Sequence, residues 1–199
     1  MLSRSKLLKM TELALLTAIV IVFQLLGSFI HIGPTSISLV LVPIVVGACL
    51  LGVGGGAFLG LVFGFMTLIA GINGSDYFTN VLFTAQPVAT TVICLGKATA
   101  CGACAGLVFK ALKNKNLYLA SLLAAATAPI VNTGLFILGG LFLVNKTLET
   151  AFVAEGQTVV YFVVIVCAGL NFIAELLLNM IVSPAFPTIY KAVEKQKQQ

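Results

Sequence analysis

Long apolar runs separated by short polar breaks occupy nearly the whole chain. The first runs from about Leu13 to Ile30, the second from Ile37 to Leu51 and the third from Ala57 to Ile72. A fourth begins near Pro87 and ends at Lys110 and Lys113, a fifth runs from Leu117 to Val144, and a sixth from Thr158 to about Val182. An α-helix needs ~20 residues to cross the hydrocarbon core of a bilayer. The second and third runs are short, and the second contains Pro43. Breaks such as Gly33-Pro34-Thr35-Ser36, Gly52-Val53-Gly54-Gly55-Gly56 and Asn73-Gly74-Ser75-Asp76-Tyr77 carry turn residues, and Pro184 and Pro187 close the sixth run. The pattern predicts an all-α integral membrane bundle: six transmembrane helices in one domain, residues 1–199. Within the sixth run Asn171, Glu175, Asn179 and Ser183 stand four apart. That step advances ~40° beyond a full helical turn, so they form one drifting stripe. In a bilayer Glu175 must face protein or water.

Composition agrees. The 199 residues are 60% hydrophobic and 9% charged, where soluble domains are about a quarter charged. Mean hydropathy is +1.14. Little length remains for a soluble domain, and no G-x-x-x-x-G-K-[ST] stretch occurs, so any ATP hydrolysis belongs to another chain. The net charge of +5 sorts by topology. Arg4, Lys6, Lys9, Lys110, Lys113, Lys115, Lys191, Lys195 and Lys197, nine of the eleven basic residues, fall on one side. The other side receives only Lys146, with Asp76, Glu149 and Glu155. Positive residues favour the cytoplasmic side, which predicts cytoplasmic N- and C-termini and a multi-pass protein of the cell membrane. The basic start leads into a run without a small-x-small cleavage pattern, which reads as a retained first span. Cys49, Cys94, Cys101, Cys104 and Cys167 all lie in apolar stretches and read as small packing residues.

Small residues predict where helices touch. Gly52, Gly56, Gly60 and Gly64 stand four apart, as do Ala98, Gly102 and Gly106, and Ala120, Ala124 and Ala128. Such rows let backbones approach closely in lipid. Polar residues predict a cavity. Gln24 and His31 lie toward the outer end of the first span, Gln86 and Thr90 open the fourth, and Lys97 lies ~15 Å below that helix's outer end. Asn132 and Thr133 lie in the middle of the fifth span, and Asn171 and Glu175 in the middle of the sixth. Placing these groups in lipid is costly, so they should converge on a site near the outer face, with the loops Gly33–Ser38 and Asn73–Ala85 as its lid. Lys97 and Glu175 could equally form a buried ion pair.

Catalysis is disfavoured. The chain has one histidine, so it offers no two-histidine metal site, and Glu175 lacks a second membrane carboxylate. Two transport classes remain: a stand-alone proton-coupled carrier using Glu175, or a substrate-capturing subunit driven by a separate motor. The residues favour the second. The chain resembles the substrate-binding S component of an energy-coupling factor (ECF) vitamin transporter. The resemblance rests on length and six spans, Ala14-x-x-x-Ala18 in the first, and Ile32-Gly33-Pro34-Thr35-Ser36-Ile37-Ser38 leading into the second. It continues with Asn132-Thr133-Gly134 in the fifth and Asn171-x-x-x-Glu175 before Pro184 in the sixth.

The resemblance implies a vitamin site near the outer face. It implies partners too: a transmembrane coupling subunit, on which Ala14 and Ala18 would dock, and two cytoplasmic ATPases that carry the ATP-Mg. The chain itself would need no cofactor and bind no nucleic acid. ATP hydrolysis would be linked to toppling of the S component, delivering the vitamin inward. The sequence is most similar to the branch of pantothenate, riboflavin, folate and cobalamin binders. The stretch Ile32 to Val42 is most like the pantothenate pattern. That pattern includes a Pro-Arg pair near the start of the fourth helix, where this chain has Lys97 as its nearest basic residue.

Overall fold

The computed structural model describes residues 4–27, 31–32, 35–36 and 38–197. Helix α1 spans Arg4–Gly27. A short ribbon follows, in which β1 (His31–Ile32) pairs antiparallel with β2 (Thr35–Ser36), His31 opposite Ser36. Helices α2 (Leu41–Ile72), α3 (Tyr77–Ala85), α4 (Pro87–Leu112), α5 (Leu117–Phe142) and α6 (Asn145–Phe152) come next. A final long rod is built from α7 (Val159–Tyr161), a π-helical segment (Phe162–Gly169) and α8 (Leu170–Val182), and α9 (Ala185–Lys197) follows it. Five stretches are long and apolar enough to cross a membrane: Lys6–Gly27, Leu41–Ile72, Pro87–Leu112, Leu117–Phe142 and Val159–Val182.

The second of these is not one straight rod. Gly52 breaks it with φ 77° and ψ −167°. A methyl group at Gly56 would lie 2.7 Å from the Ala48 Cβ, and one at Gly47 would run into Leu59. Residues eight apart in a straight helix are ~12 Å apart. The chain therefore doubles back at Gly52, into a short arm (41–51) and a long arm (53–72). The second and third apolar runs of the sequence are these two arms, and the expected breaks at Leu51 and Ala57 contract to one residue. The short arm rises only ~16 Å, about half the hydrocarbon thickness. The expected start of that run at Ile37, and the end of the first run at Ile30, lie outside the described residues.

The backbone at Gly52 occupies a region open almost only to glycine, while nothing lies within 4 Å of a Cβ placed there. Gly52→Ala should therefore cost conformational strain alone, about 1–3 kcal/mol. A thermal melt of the purified variant checks this, and an unchanged midpoint would mean the reversal does not depend on glycine.

The glycine row packs inside the bundle. A methyl at Gly64 would sit 2.7 Å from the Cys94 carbonyl oxygen, and one at Gly60 would overlap the Ala98 carbonyl. Gly56 and Gly102 face each other backbone to backbone, and Gly106 meets Val53, 2.8 Å from its Cα. So the long arm of α2 lies directly on α4, row against row. Ala120, Ala124 and Ala128 are fully buried and build the inner core with Val45, Ala105, Phe109 and Phe186. The five cysteines are free thiols, four of them buried and Cys104 partly exposed.

Three segments expected as loops or tail are helical. Asp76 caps α3 by accepting from the Thr79 backbone N–H at 3.2 Å and the Thr79 hydroxyl at 2.9 Å. Gly71 leaves room for α3 to fold back, since a methyl there would meet the Thr79 side chain. Asn80 Nδ2 donates to the Gly71 carbonyl at 2.7 Å. Helix α6 packs at the same end of the bundle as α3, where Phe152 lies 5.0 Å from Phe78 and stacks on Phe162 at 5.9 Å, centroid to centroid. At the other end Phe186 of α9 is buried, and Lys113 Nζ donates to Tyr190 Oη at 3.2 Å. That contact ties α9 to the end of α4.

Candidate functional site

Two adjoining cavities lie in the half of the bundle that carries α3. The larger holds about 590 Å³, its mouth included, and runs under α3. Its polar wall is Gln24, Ser38, Thr67, Asp76, Thr79, Thr90 and Lys97, and Phe63, Phe78 and Phe136 supply aromatic faces. The smaller holds about 360 Å³ and is lined by Asn132, Thr133, Asn171 and Glu175, with Cys167 and Ala168. Ser38, Lys97 and Phe136 border both. The cavities are thus two lobes meeting at Lys97.

Local structure aims each group. Residues 60, 63, 64, 67 and 71 share one face of the long arm of α2, so the packing that seats Gly60 and Gly64 on α4 also presents Phe63 and Thr67. Pro87 starts α4, where its missing N–H would have had no helical partner, and places Thr90 and Lys97 two turns apart. Lys97 Nζ sits 5.1 Å from the centre of the Phe136 ring, a cation–π distance. The π-helical segment precedes the Asn171–Glu175 stretch. Its i→i+5 pattern changes the angular phase of everything after it, and such segments recur at functional sites. With that phase the whole stripe of α8 turns inward: Asn171, Glu175, Asn179 and Ser183 are all buried, while Leu170, Ile173, Leu177 and Ile181 face outward.

The central contact joins parts of the chain far apart in sequence. Glu175 Oε1 accepts a hydrogen bond from the Ser38 backbone N–H at 2.9 Å. Ser38 precedes the short arm of α2, so non-helical backbone reaches the depth of a mid-bundle carboxylate. Such backbone is tolerated in a membrane where it is enclosed by protein or lines a cavity, and Ser38 does the latter. The short arm explains why the loop reaches so deep. Glu175 is the acceptor that removes the cost of burying that N–H.

The expected site residues divide as follows. Gln24, Thr90 and Lys97 line the large lobe, and Lys97, Asn132, Thr133, Asn171 and Glu175 the small one. Gln24 also makes a long contact, 3.5 Å, to the Thr67 hydroxyl. Gln86 lines neither lobe; its Nε2 donates to Thr147 Oγ1 at 3.1 Å and ties α4 to α6. His31 lies on β1, and its side chain is outside the described residues. Among the described residues no ion pair joins Lys97 to Glu175. Asn179 and Ser183 return their hydrogen bonds to their own helix, Asn179 Nδ2 to the Glu175 carbonyl at 2.8 Å and Ser183 Oγ to the Met180 carbonyl at 2.8 Å. They are helix contacts, not solvated groups.

Sequence reasoning missed Thr67 as a wall residue and placed Ser38, Asp76 and Thr79 only within the expected lid segments Gly33–Ser38 and Asn73–Ala85. Asp76-x-x-Thr79 carried a helix-start signal that would have turned the outer loop into a helix with an inward face. Thr67 was readable from its spacing behind Gly60 and Gly64. Ser38 had no local signal, since only its distant partner reveals it. Ala14 and Ala18 lie exposed on α1, on the face opposite the buried Leu16 and Val20.

Fold and site together define a polytopic membrane protein with a polar, aromatic-lined cleft among its helices. The model of the family described as ECF transporter, substrate-specific component, matches residues 8–186. The chain belongs to that family. It is accordingly a multi-pass transport subunit that confers substrate specificity on an ECF transporter. A search of curated protein sequences returns no match.

Proposed function

We propose that this chain is the high-affinity vitamin-binding subunit of its transporter, taking a small water-soluble vitamin, pantothenate-like in character, from the outer face. The bundle makes six passes, counting the two arms of α2 separately, with both termini in the cytoplasm of a prokaryotic cell. The exposed row at Ala14 and Ala18 docks on a transmembrane coupling subunit. Two ATPases on that module bind and hydrolyse ATP-Mg, and the chain topples to release its vitamin inward. The observation that carries this reading is the bilobed cavity, whose polar walls come from α1, α2, α3, α4, α5 and α8 and converge on Lys97. Its lining suits an organic ligand rather than an inorganic ion, because aromatic faces from Phe63, Phe78 and Phe136 stand beside the polar groups.

Reconstitution separates this reading from a proton-coupled carrier. Proteoliposomes holding the chain alone, with an imposed pH gradient and labelled pantothenate or another B-vitamin outside, should show no uptake. Uptake should begin when the coupling subunit, both ATPases and internal Mg-ATP are added. Gradient-driven uptake by the chain alone would instead establish a self-sufficient carrier.

A further inference from the structure

We propose that the ligand is a small organic acid held in one orientation, its anionic group at Lys97 and its hydrogen-bond donors, hydroxyl or amide N–H, in the small lobe against Asn132. This rests on the reading of the cavity as the substrate site and adds the chemistry that the substrate must have.

Of the charged side chains at the site, Lys97 is the one with no hydrogen-bond or ion-pair partner among the described residues. Three side chains of the ammonium or carboxylate type line the two lobes: Lys97, Asp76 and Glu175. Both carboxylates already serve the fold. Asp76 uses its two oxygens on the Thr79 N–H and hydroxyl, and Glu175 uses Oε1 on the Ser38 N–H. Lys97 faces the Phe136 ring, and among the described residues no carboxylate lies in ion-pair range of it. A cation held that way inside a bundle is stabilised strongly by an incoming anion, and it stands where the two lobes meet.

A second, independent observation places the donors. Asn132 is 4% exposed and lines the small lobe, yet its Oδ1 has no hydrogen-bond partner. A buried amide oxygen left unsatisfied costs about 1–3 kcal/mol. Only a donor can relieve it. Lys97 reaches the small lobe as well, but its charge is then spent on an amide instead of an anion. The ligand that satisfies both groups at once carries a negative end and, a few bonds away, a hydroxyl or an amide N–H. The large lobe, with Phe63, Phe78 and Phe136, receives whatever the small one does not hold.

Matched ligand pairs test this on the purified full-length chain. Equilibrium binding is measured for pantothenate against pantothenol, which replaces the carboxylate by an alcohol, and for nicotinate against nicotinamide, alongside thiamine and pyridoxine. The acid of the bound pair should bind at least ~30-fold tighter than its neutral analogue, within the range for a charged hydrogen bond. Lys97→Gln should bring that ratio to within about threefold, and Lys97→Arg should restore most of it. Asn132→Leu should weaken the acid ~10-fold or more while raising the melting temperature of the ligand-free protein, because it removes an unsatisfied buried amide. A purely structural asparagine would give the opposite, a lower melting temperature. Tightest binding of a neutral or cationic vitamin, or an acid-to-neutral ratio unmoved by Lys97→Gln, overturns the inference and leaves the vitamin-binding function standing. No binding of any vitamin overturns both.

Discussion

Gly60→Val is expected to destroy the packed bundle. A Cβ at Gly60 already overlaps the Ala98 carbonyl oxygen and comes within 2.8 Å of its carbon, and valine adds two more methyls. The obstacle is the backbone of α4, which cannot rotate away as a side chain tip can. Overpacking in an ordinary core costs about 1–3 kcal/mol and more where nothing can move, so the variant should lose at least about 3 kcal/mol. For a chain of this size that is a fall of roughly 6–12 °C in melting temperature. Loss of the monodisperse peak in detergent is expected with it. Gly96→Ala is the control. Nothing lies within 4 Å of its Cβ position, and it sits in the interior of the same helix α4. It should melt at the same temperature or slightly higher, since alanine favours a helix over glycine by roughly 0.5–1 kcal/mol. A Gly60→Val protein that melts normally would mean that the glycine and alanine rows do not carry the contact between α2 and α4.

Ala14→Trp and Ala18→Trp should each reduce vitamin uptake by the assembled transporter to background. Both alanines are exposed on α1 while Leu16 and Val20 face the core, so a large ring there meets no residue of this chain's interior. Close helix approach in lipid depends on small residues, and an indole at the contact holds the partner helix away. Vitamin binding by the isolated variants should stay within about twofold of the parent, because neither residue borders the cavities. Uptake assays with the complete transporter and binding assays on the single chain therefore give opposite answers for the same substitution. Loss of binding in both variants would place this face against the chain's own fold.

The long elements were legible because apolar run length and four-residue rows are local properties. The start of α4 at Pro87, the start of α5 at Leu117 and the rod Val159–Val182 agree with the expected runs to within a residue. Gly56, Gly60 and Gly64 were legible as an internal contact because glycines in register let helices approach closely, whereas Gly52, read as part of the same row, is the turn residue. Helices α3, α6 and α9 were hidden by their length, since at 9, 8 and 13 residues none forms an apolar run long enough to span a bilayer. The reversal at Gly52 was visible only as a glycine cluster, since the cluster does not say which residue takes the positive φ. The π-helical segment left no trace in the apolar stretch Phe162–Gly169. The four-residue spacing keeps Asn171, Glu175, Asn179 and Ser183 on one face, and the segment before them sets where that face points.

The candidate site was legible in its parts and not in its connections. Depth along each span brought Lys97, Asn132, Thr133, Asn171 and Glu175 to one place, and they line one lobe. What depth could not supply was pairing. Lys97 and Glu175 invite reading as an ion pair, but the carboxylate holds the Ser38 backbone and the cation faces Phe136. The reason is the short first arm of α2. Ser38, just before it, lies at the depth of Glu175, and its backbone N–H donates to the carboxylate. Lys97 borders both lobes and Glu175 the small one.

The central claim is that this chain alone captures a vitamin in that cavity. Titration calorimetry of the purified chain in detergent, with pantothenate first and the other B-vitamins after it, tests it most directly. The account predicts saturable binding of one vitamin per chain with no partner subunit present. Absence of binding across the whole set, or binding that appears only once the coupling subunit is added, would contradict it.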